Sequence, residues 1–283
     1  MFEGIINGDC DNIIPQMIKA GITFDLILTD PPYNIGKDFG NDTDSYGLDT
    51  YIQKTVRRIN FCKNLLTDNG SIVWFGIHDY ICFIQCMMYE LGLYYRRLNI
   101  WHYNNGMSRM KNSPVTTYEP FLWFSKSDKH WTYNADDVRV PYKSTERIKS
   151  PVYKKNAKGE KVAWTPNPLG ALRGDIWDFP VLAGKLYEKE RTGHPTQKPE
   201  SLITELIKAF CPKDSEGRYN GYILDPFLGS GTLGVCCEKL NLQGHRIKWC
   251  GIELEEKWCD VARKRLDFGK GLFSNESQSN QFY

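Results

Sequence analysis

A rhythm constrains this chain more than any single residue does. Short apolar runs alternate with amphipathic stretches along most of its length. Seven runs have strand character: GIING (4–8), FDLILTD (24–30), GSIVWFG (70–76), YRRLNIWHY (95–103), EPFLWFS (119–125), GYILDPF (221–227) and KWCGIEL (248–254). Helical spacing falls at about 49–67, 78–91, 199–211, 231–241 and 255–267. Asp49 and Thr50 suit a helix start, as do Pro199 and Glu200. Strands separated by helices pair mostly in parallel, with the helices crossing over and covering the sheet. The expectation is an α/β fold with a mostly parallel, twisted, seven-stranded sheet and helices on both faces.

Two segments break the rhythm. Residues 34–48, NIGKDFGNDTDSYGL, are rich in Gly, Asn and Asp and read as a mobile loop. The region from 127 to 192 has little periodicity and much Lys, Pro, Trp and Tyr. A structureless stretch of that length inside a domain is usually functional, so it reads as a lobe inserted into the core. The expected organisation is a core half at 1–126, the insert at 127–192, a second core half at 193–270 and a polar tail at 271–283.

Charge singles out the same insert. The chain as a whole carries a formal net charge of +2. Residues 139–173 hold Arg139, Lys143, Arg147, Lys149, Lys154, Lys155, Lys158, Lys161 and Arg173 against Glu146 and Glu160 only. That asymmetry suits either a patch for a polyanion or a solvated lysine-rich loop. The nine cysteines have no secreted-scaffold or CxxC spacing, which points to reduced, buried thiols and no metal site. No apolar run reaches the length of a membrane span, and MFEGIINGDC has no signal-peptide pattern. The expected location is the cytoplasm.

Two strand ends carry candidate chemistry. FDLILTD runs into Asp30, Pro31, Pro32 and Tyr33. Taken in isolation, that is a rigid turn. The second strand, GYILD, ends in Asp225 and runs through Pro226, Phe227, Gly229, Ser230 and Gly231 into a helix. Such a strand–turn–helix unit brings backbone N–H groups close to a ligand. It lacks both the G-x-G-x-x-G spacing and a phosphate-loop lysine, so a pyrophosphate is not its obvious guest. One βα unit later, Glu253 ends a strand, the usual place for an acid that holds ribose hydroxyls.

Together, Asp30-Pro31-Pro32-Tyr33 and DPFLGSGT (225–232) resemble the amino-methylating DNA methyltransferases that use S-adenosylmethionine. Their order along the chain is similar to the circularly permuted β group. NGDC (7–10), LNIWHYNNG, YEPFLWFSK, GDIWDFP (174–180) and GHPTQKPESLI (193–203) resemble further elements of that group. The resemblance covers about residues 4–268. It implies a Rossmann-like methyltransferase fold with S-adenosylmethionine as cofactor. Asp30, Pro31, Pro32 and Tyr33 would be catalytic. Asp9 and Cys10 would lie near the cofactor adenine, and Glu253 would hold the ribose. Gly229, Gly231 and Thr232 would surround the methionine end, beside Asp30, Asp225, Pro226 and Phe227. His194, Thr196, Gln197 and Lys198 would fix the methionine carboxylate and the adjoining loop.

The same resemblance implies that the 127–192 insert recognises double-stranded DNA. Tyr142, Tyr153, Trp164 and Trp177 among its basic residues suit phosphate contacts and groove insertion. Candidate DNA contacts are Arg139, Lys143, Arg147, Lys149, Lys154 and Lys155, with Asn104, Asn105, Arg109, Lys111 and Asn112 after an edge strand. The acid at position 30 favours adenine N6 over cytosine N4. Weaker readings are RNA methylation and an inactive nucleic-acid-binding relative. A prokaryotic or viral source, a homodimer and a cognate restriction enzyme are further implications of the likeness.

Overall fold

The computed structural model describes residues 2–37, 44–106, 112–144 and 152–271. In chain order it comprises β1 (Gly4–Asn7), α1 (Cys10–Lys19), β2 (Phe24–Thr29), α2 (Leu48–Leu65), β3 (Leu66–Phe75), α3 (Ile81–Glu90), β4 (Tyr94–His102) and β5 (Tyr118–Ser125). The insert adds a 3₁₀ turn (Ala135–Val138), a hairpin of β6 (Val152–Lys155) and β7 (Lys161–Trp164), β8 (Ile176–Asp178) and a second 3₁₀ turn (Lys185–Tyr187). The chain continues with α4 (Glu200–Phe210), β9 (Tyr222–Asp225), α5 (Thr232–Leu242), β10 (Lys248–Glu253) and α6 (Glu256–Gly271).

All seven expected strands lie in one eight-stranded sheet, in the order β1-β10-β9-β2-β3-β5-β4-β8. From β1 to β3 every pairing is parallel, and β5 runs antiparallel to both β3 and β4. Side chains alternate between faces with a period of two. Leu26, Leu28, Val73, Phe75, Phe121 and Trp123 join α4, α5 and α6 on one side. Ile27, Ile72, Trp74, Leu122 and Phe124 join α1, α2 and α3 on the other. The sheet is therefore buried on both faces, which explains why its strands read as nearly continuous apolar runs.

Three features depart from the sequence reading. Helix α1 was not foreseen, because Pro15 lies inside it and an interior proline normally ends a helix. Asp9 starts α1 nonetheless: its carboxylate accepts the N–H of Asp11 at 2.8 Å. An eighth strand, β8, extends the sheet beyond the seven expected by pairing in parallel with β4. Cys82 and Cys86 are exposed, whereas the other seven cysteines are buried thiols. No helix among the described residues is long and apolar enough to cross a membrane.

Both ends of the insert are sewn into the core. Val138 and Trp177 are buried there at 0% and 1% exposure. The Trp177 indole N–H donates to Asn99 Oδ1 at 3.2 Å, so this ring is a core element and not a groove-inserting one. Asn134 donates its side-chain amide to the carbonyls of Lys208 and Cys211, capping the end of α4. Arg173 bonds the Val138 carbonyl and pairs with Glu205 of α4 at 2.9 Å. Trp177→Ala is expected to cost roughly 3–5 kcal/mol of stability, as for a large buried aromatic. Thermal unfolding should show one shifted transition; a separate transition for the insert would contradict this account.

Candidate active site

The site begins where β2 and β9 lie side by side. They pair in parallel, Leu26 with Ile223 and Ile27 with Leu224. Thr29, last in β2, donates its hydroxyl to Asp225 Oδ1 at 2.8 Å, and the Phe227 N–H donates to the same oxygen at 3.0 Å. Asp30 and Asp225 thus meet at the carboxyl edge of the sheet, where open α/β sheets bind ligands. Burial pushes the Asp225 carboxyl up to about 7, although both donors favour its charged form.

A first cavity opens along this edge, lined by Asp9, Cys10, Asp30, Pro31, Pro32 and Tyr33 from one half of the chain. His194, Thr196, Gln197, Lys198, Asp225, Pro226, Phe227, Gly229, Thr232 and Glu253 line it from the other. The Gly229 N–H donates to Glu253 Oε2 at 2.8 Å, tying the glycine turn to the end of β10. Gly229 has φ +54°, and a Cβ there would lie 3.1 Å from the His194 ring. Gly231 serves differently, because it caps α5 at φ +83° and a Cβ would meet Ala262 of α6 at 2.6 Å. Its role is close helix packing, not lining. Arg265, which no motif marked, braces the turn through the Ser230 carbonyl at 2.8 Å and pairs with Glu200.

The HPTQKP segment divides its work. The Gln197 amide oxygen accepts the Thr192 N–H and hydroxyl, and its amide nitrogen donates to the Glu190 carbonyl. Gln197 therefore shapes the loop. His194 packs edge-on against Trp258, with ring centroids 4.6 Å apart. Burial, aided by the charge of Lys198, lowers the His194 pKa to about 4, so its ring is neutral. Burial also pushes the Cys10 thiol up to about 12, which makes it an inert wall.

Lys198 lines the first cavity, as expected, and its charge is engaged by two carboxylates. Its ammonium lies 2.5 Å from Asp30 Oδ2 and 3.0 Å from Glu119 Oε2. The Tyr33 hydroxyl donates to the other oxygen of Asp30 and sits 3.2 Å from Glu119 Oε2. Burial, followed by the charges of Asp30 and Glu119, holds the Tyr33 phenol well above its ordinary range. Burial drives the Lys198 ammonium down, but the two carboxylates outweigh it and hold it above the usual lysine value. A second cavity adjoins the first across Tyr33, His194 and Lys198, and its walls include Ile77, Trp101, Tyr103, Tyr118 and Glu119.

The loop after Tyr33 is ordered at both described ends. Asn34 takes φ +60°, a left-handed conformation that Asn tolerates. Its side chain bonds Tyr46 in both directions. The buried Asp44 carboxylate accepts the N–H groups of Asn34, Ile35 and Lys37. Residues 38–43, the middle of the segment expected to be mobile, lie outside the described residues.

The DNA candidates scatter. Arg109, Lys111, Arg147 and Lys149 lie outside the described residues. Asn104, Asn105, Asn112, Lys143, Lys154 and Lys155 are exposed, the last two on β6 beside an exposed Tyr153. Arg139 is committed elsewhere, pairing with Asp136 at 2.7 Å and donating to the Gly170 carbonyl at 2.7 Å.

Residues 24–264 match the model of a family described as DNA methylase, the N6/N4 methyltransferases. The chain belongs to this DNA methylase family. It is 32% identical over 247 residues to the type II methyltransferase M.HpaI of Haemophilus parainfluenzae, covering 87% of this chain and 68% of that protein. It is 31% identical over 275 residues to the DNA adenine methyltransferase YhdJ of Escherichia coli K12, covering 96% and 85%. The structure of an M1.HpyAVI–SAM complex superposes with a TM-score of 0.60 at 25% identity, covering 93% of this chain and 98% of that one. The fold is thus the Rossmann-like methyltransferase fold, and the cofactor of this methylase is S-adenosylmethionine.

The first cavity fits that cofactor. Glycine at 229 leaves free the space that a Cβ would take beside His194, and Glu253 closes the same turn. A buried Asp225 also makes this methylase sensitive to pH. Its folded carboxyl binds a proton more tightly than the unfolded value of 3.8 allows. Between about pH 4 and 7 the folded state therefore holds more protons, and stability falls as pH rises. Asp225→Asn removes this cost, so its melting temperature relative to the native chain should climb from pH 4 to pH 8. Thermal denaturation across that range checks it; a constant offset would contradict it.

Proposed function

We propose that this chain methylates the exocyclic N6 of an adenine flipped out of duplex DNA. The observation that carries the reading is the placement of Asp30 and Tyr33, which border both cavities or join them through Lys198. When bound, S-adenosylmethionine supplies an electrophilic methyl group at this junction. An exocyclic amine is a weak nucleophile because its lone pair is delocalised into the ring. Acceptors for its two hydrogens favour a more pyramidal nitrogen. Asp30 provides one acceptor and the Pro31 carbonyl the other. Two prolines restrict the backbone that holds them, in a reaction governed by positioning. The aromatic walls Tyr33, Trp101, Tyr103 and Tyr118 suit a stacked base. A base buried in a duplex must leave the stack to reach them.

The acid at position 30 and the likeness to YhdJ, named as an adenine methyltransferase, support adenine as the target. The insert supplies the DNA-facing surface in this reading, with Lys154 and Lys155 of β6 against the phosphates. The likeness to M.HpaI suits a partner endonuclease that reads the same site.

Incubation with mixed-sequence duplex DNA and cofactor, digestion to nucleosides and mass analysis should yield N6-methyladenine. N4-methylcytosine would overturn the base assignment, and no methylated product would overturn the activity. Asp30→Ala should lower transfer by about 10²-fold or more while cofactor affinity, measured by calorimetry, stays near the native value. Lys198 keeps Glu119 as a partner in that variant, so the fold should persist.

A further inference from the structure

Glu119 lies in YEPFLWFSK, to which the sequence assigned no chemical role, yet it completes the charge cluster at Asp30. It sits on β5, opposite Trp101 of β4 in the sheet. Its carboxylate is 3.0 Å from the Lys198 ammonium and 3.2 Å from the Tyr33 hydroxyl. The Lys198 side chain is only 6% exposed, against 17% for Asp30 and 24% for Glu119. One buried cation thus lies between two carboxylates, with a neutral phenol bridging them. Lys198 alone with Asp30 would form a neutral pair, and its hydrogen bond would draw charge from the oxygen that must accept the amine. Glu119 draws the lysine the other way.

We propose that Glu119 is a positioning residue for methyl transfer: by sharing Lys198 with Asp30, it keeps the buried cluster at a net charge of −1. This rests on the reading of Asp30 as the amine acceptor. As the amine lone pair forms the N–CH3 bond, the S–CH3 bond would break and leave a neutral thioether in the first cavity. One unit of positive charge thus passes to the amine beside Asp30 until that nitrogen releases a proton to solvent. A fixed negative cluster at that point stabilises the arriving charge, and a neutral one does not. The effect grows as charges are withdrawn from water, and Lys198, Asp30 and Glu119 are all largely covered. Glu119 lines the second cavity and not the first, whereas Tyr33 and Lys198 line both. Its removal should therefore affect the transfer step and leave cofactor binding intact.

Charge and shape can be separated by substitution. Glu119→Gln keeps an oxygen that accepts from Lys198 but removes the charge. Glu119→Asp keeps the charge and shortens the side chain. The measurements are single-turnover transfer to a duplex carrying the target site, and S-adenosylmethionine affinity by calorimetry. E119Q should slow transfer by about tenfold or more, with cofactor affinity within about twofold of native. E119D should regain most of the rate. If E119Q fails to fold, E119D against E119N makes the same comparison at equal length. Native transfer in E119Q, equal losses in the charged and neutral variants, or a loss of cofactor affinity matching the loss of rate would each overturn the proposal. Asp30→Ala in parallel distinguishes the failures. Full activity there sinks the Asp30 reading itself, whereas an inactive D30A beside a native-like E119Q sinks only the role of Glu119.

Discussion

The pairing of β2 with β9 is the contact on which the rest of the site depends. These strands come from opposite halves of the chain, and the Thr29–Asp225 hydrogen bond fastens their ends. One carries Asp-Pro-Pro-Tyr outward and the other carries the glycine turn. Two cradles that are remote in sequence thereby share one edge. The same arrangement joins the first strand to the last, since β1 pairs with β10 in parallel. A chain in which Asp-Pro-Pro-Tyr precedes the glycine turn can therefore build a doubly wound sheet that brings the two together.

A second dependence runs through α4. The Lys198 ammonium lies just before the N-terminus of this helix and reaches Asp30 and Glu119. The far end of α4 is capped by Asn134, and its side pairs with Arg173, both from the insert. The helix is thus braced at one end by the segment proposed to meet DNA and bears the buried cation at the other. Trp177 of the insert and Phe210 of α4 share the apolar core on that face, with ring centroids 6.4 Å apart.

Much of this was legible in the sequence because the physics is local. Apolar runs of the right length marked all seven expected strands, and the motifs marked most residues around the first cavity. What escaped was set by tertiary contacts. Pro15 hid α1, although Asp9 caps it normally. Strand β8 has only three residues, and the single buried one, Trp177, reads as an isolated aromatic. Glu119 stands in YEPFLWFSK, which reads as an edge strand and not as chemistry, and only the fold brings it to Lys198. Arg139 and Trp177 looked like nucleic-acid contacts because composition does not show whether a side chain is already engaged. Asp44, within a Gly- and Asn-rich stretch, gave no sign that it would cap the backbone after Tyr33.

Two distant motifs meet at one edge across the β2–β9 junction. A crystal structure with S-adenosylhomocysteine bound tests most directly whether they form one site. The ribose should lie at Glu253, the adenine near Asp9 and Cys10, and the sulfur should be directed toward Asp30–Tyr33. A ligand seated away from the β2–β9 edge, or with its sulfur turned away from Asp30, would contradict it.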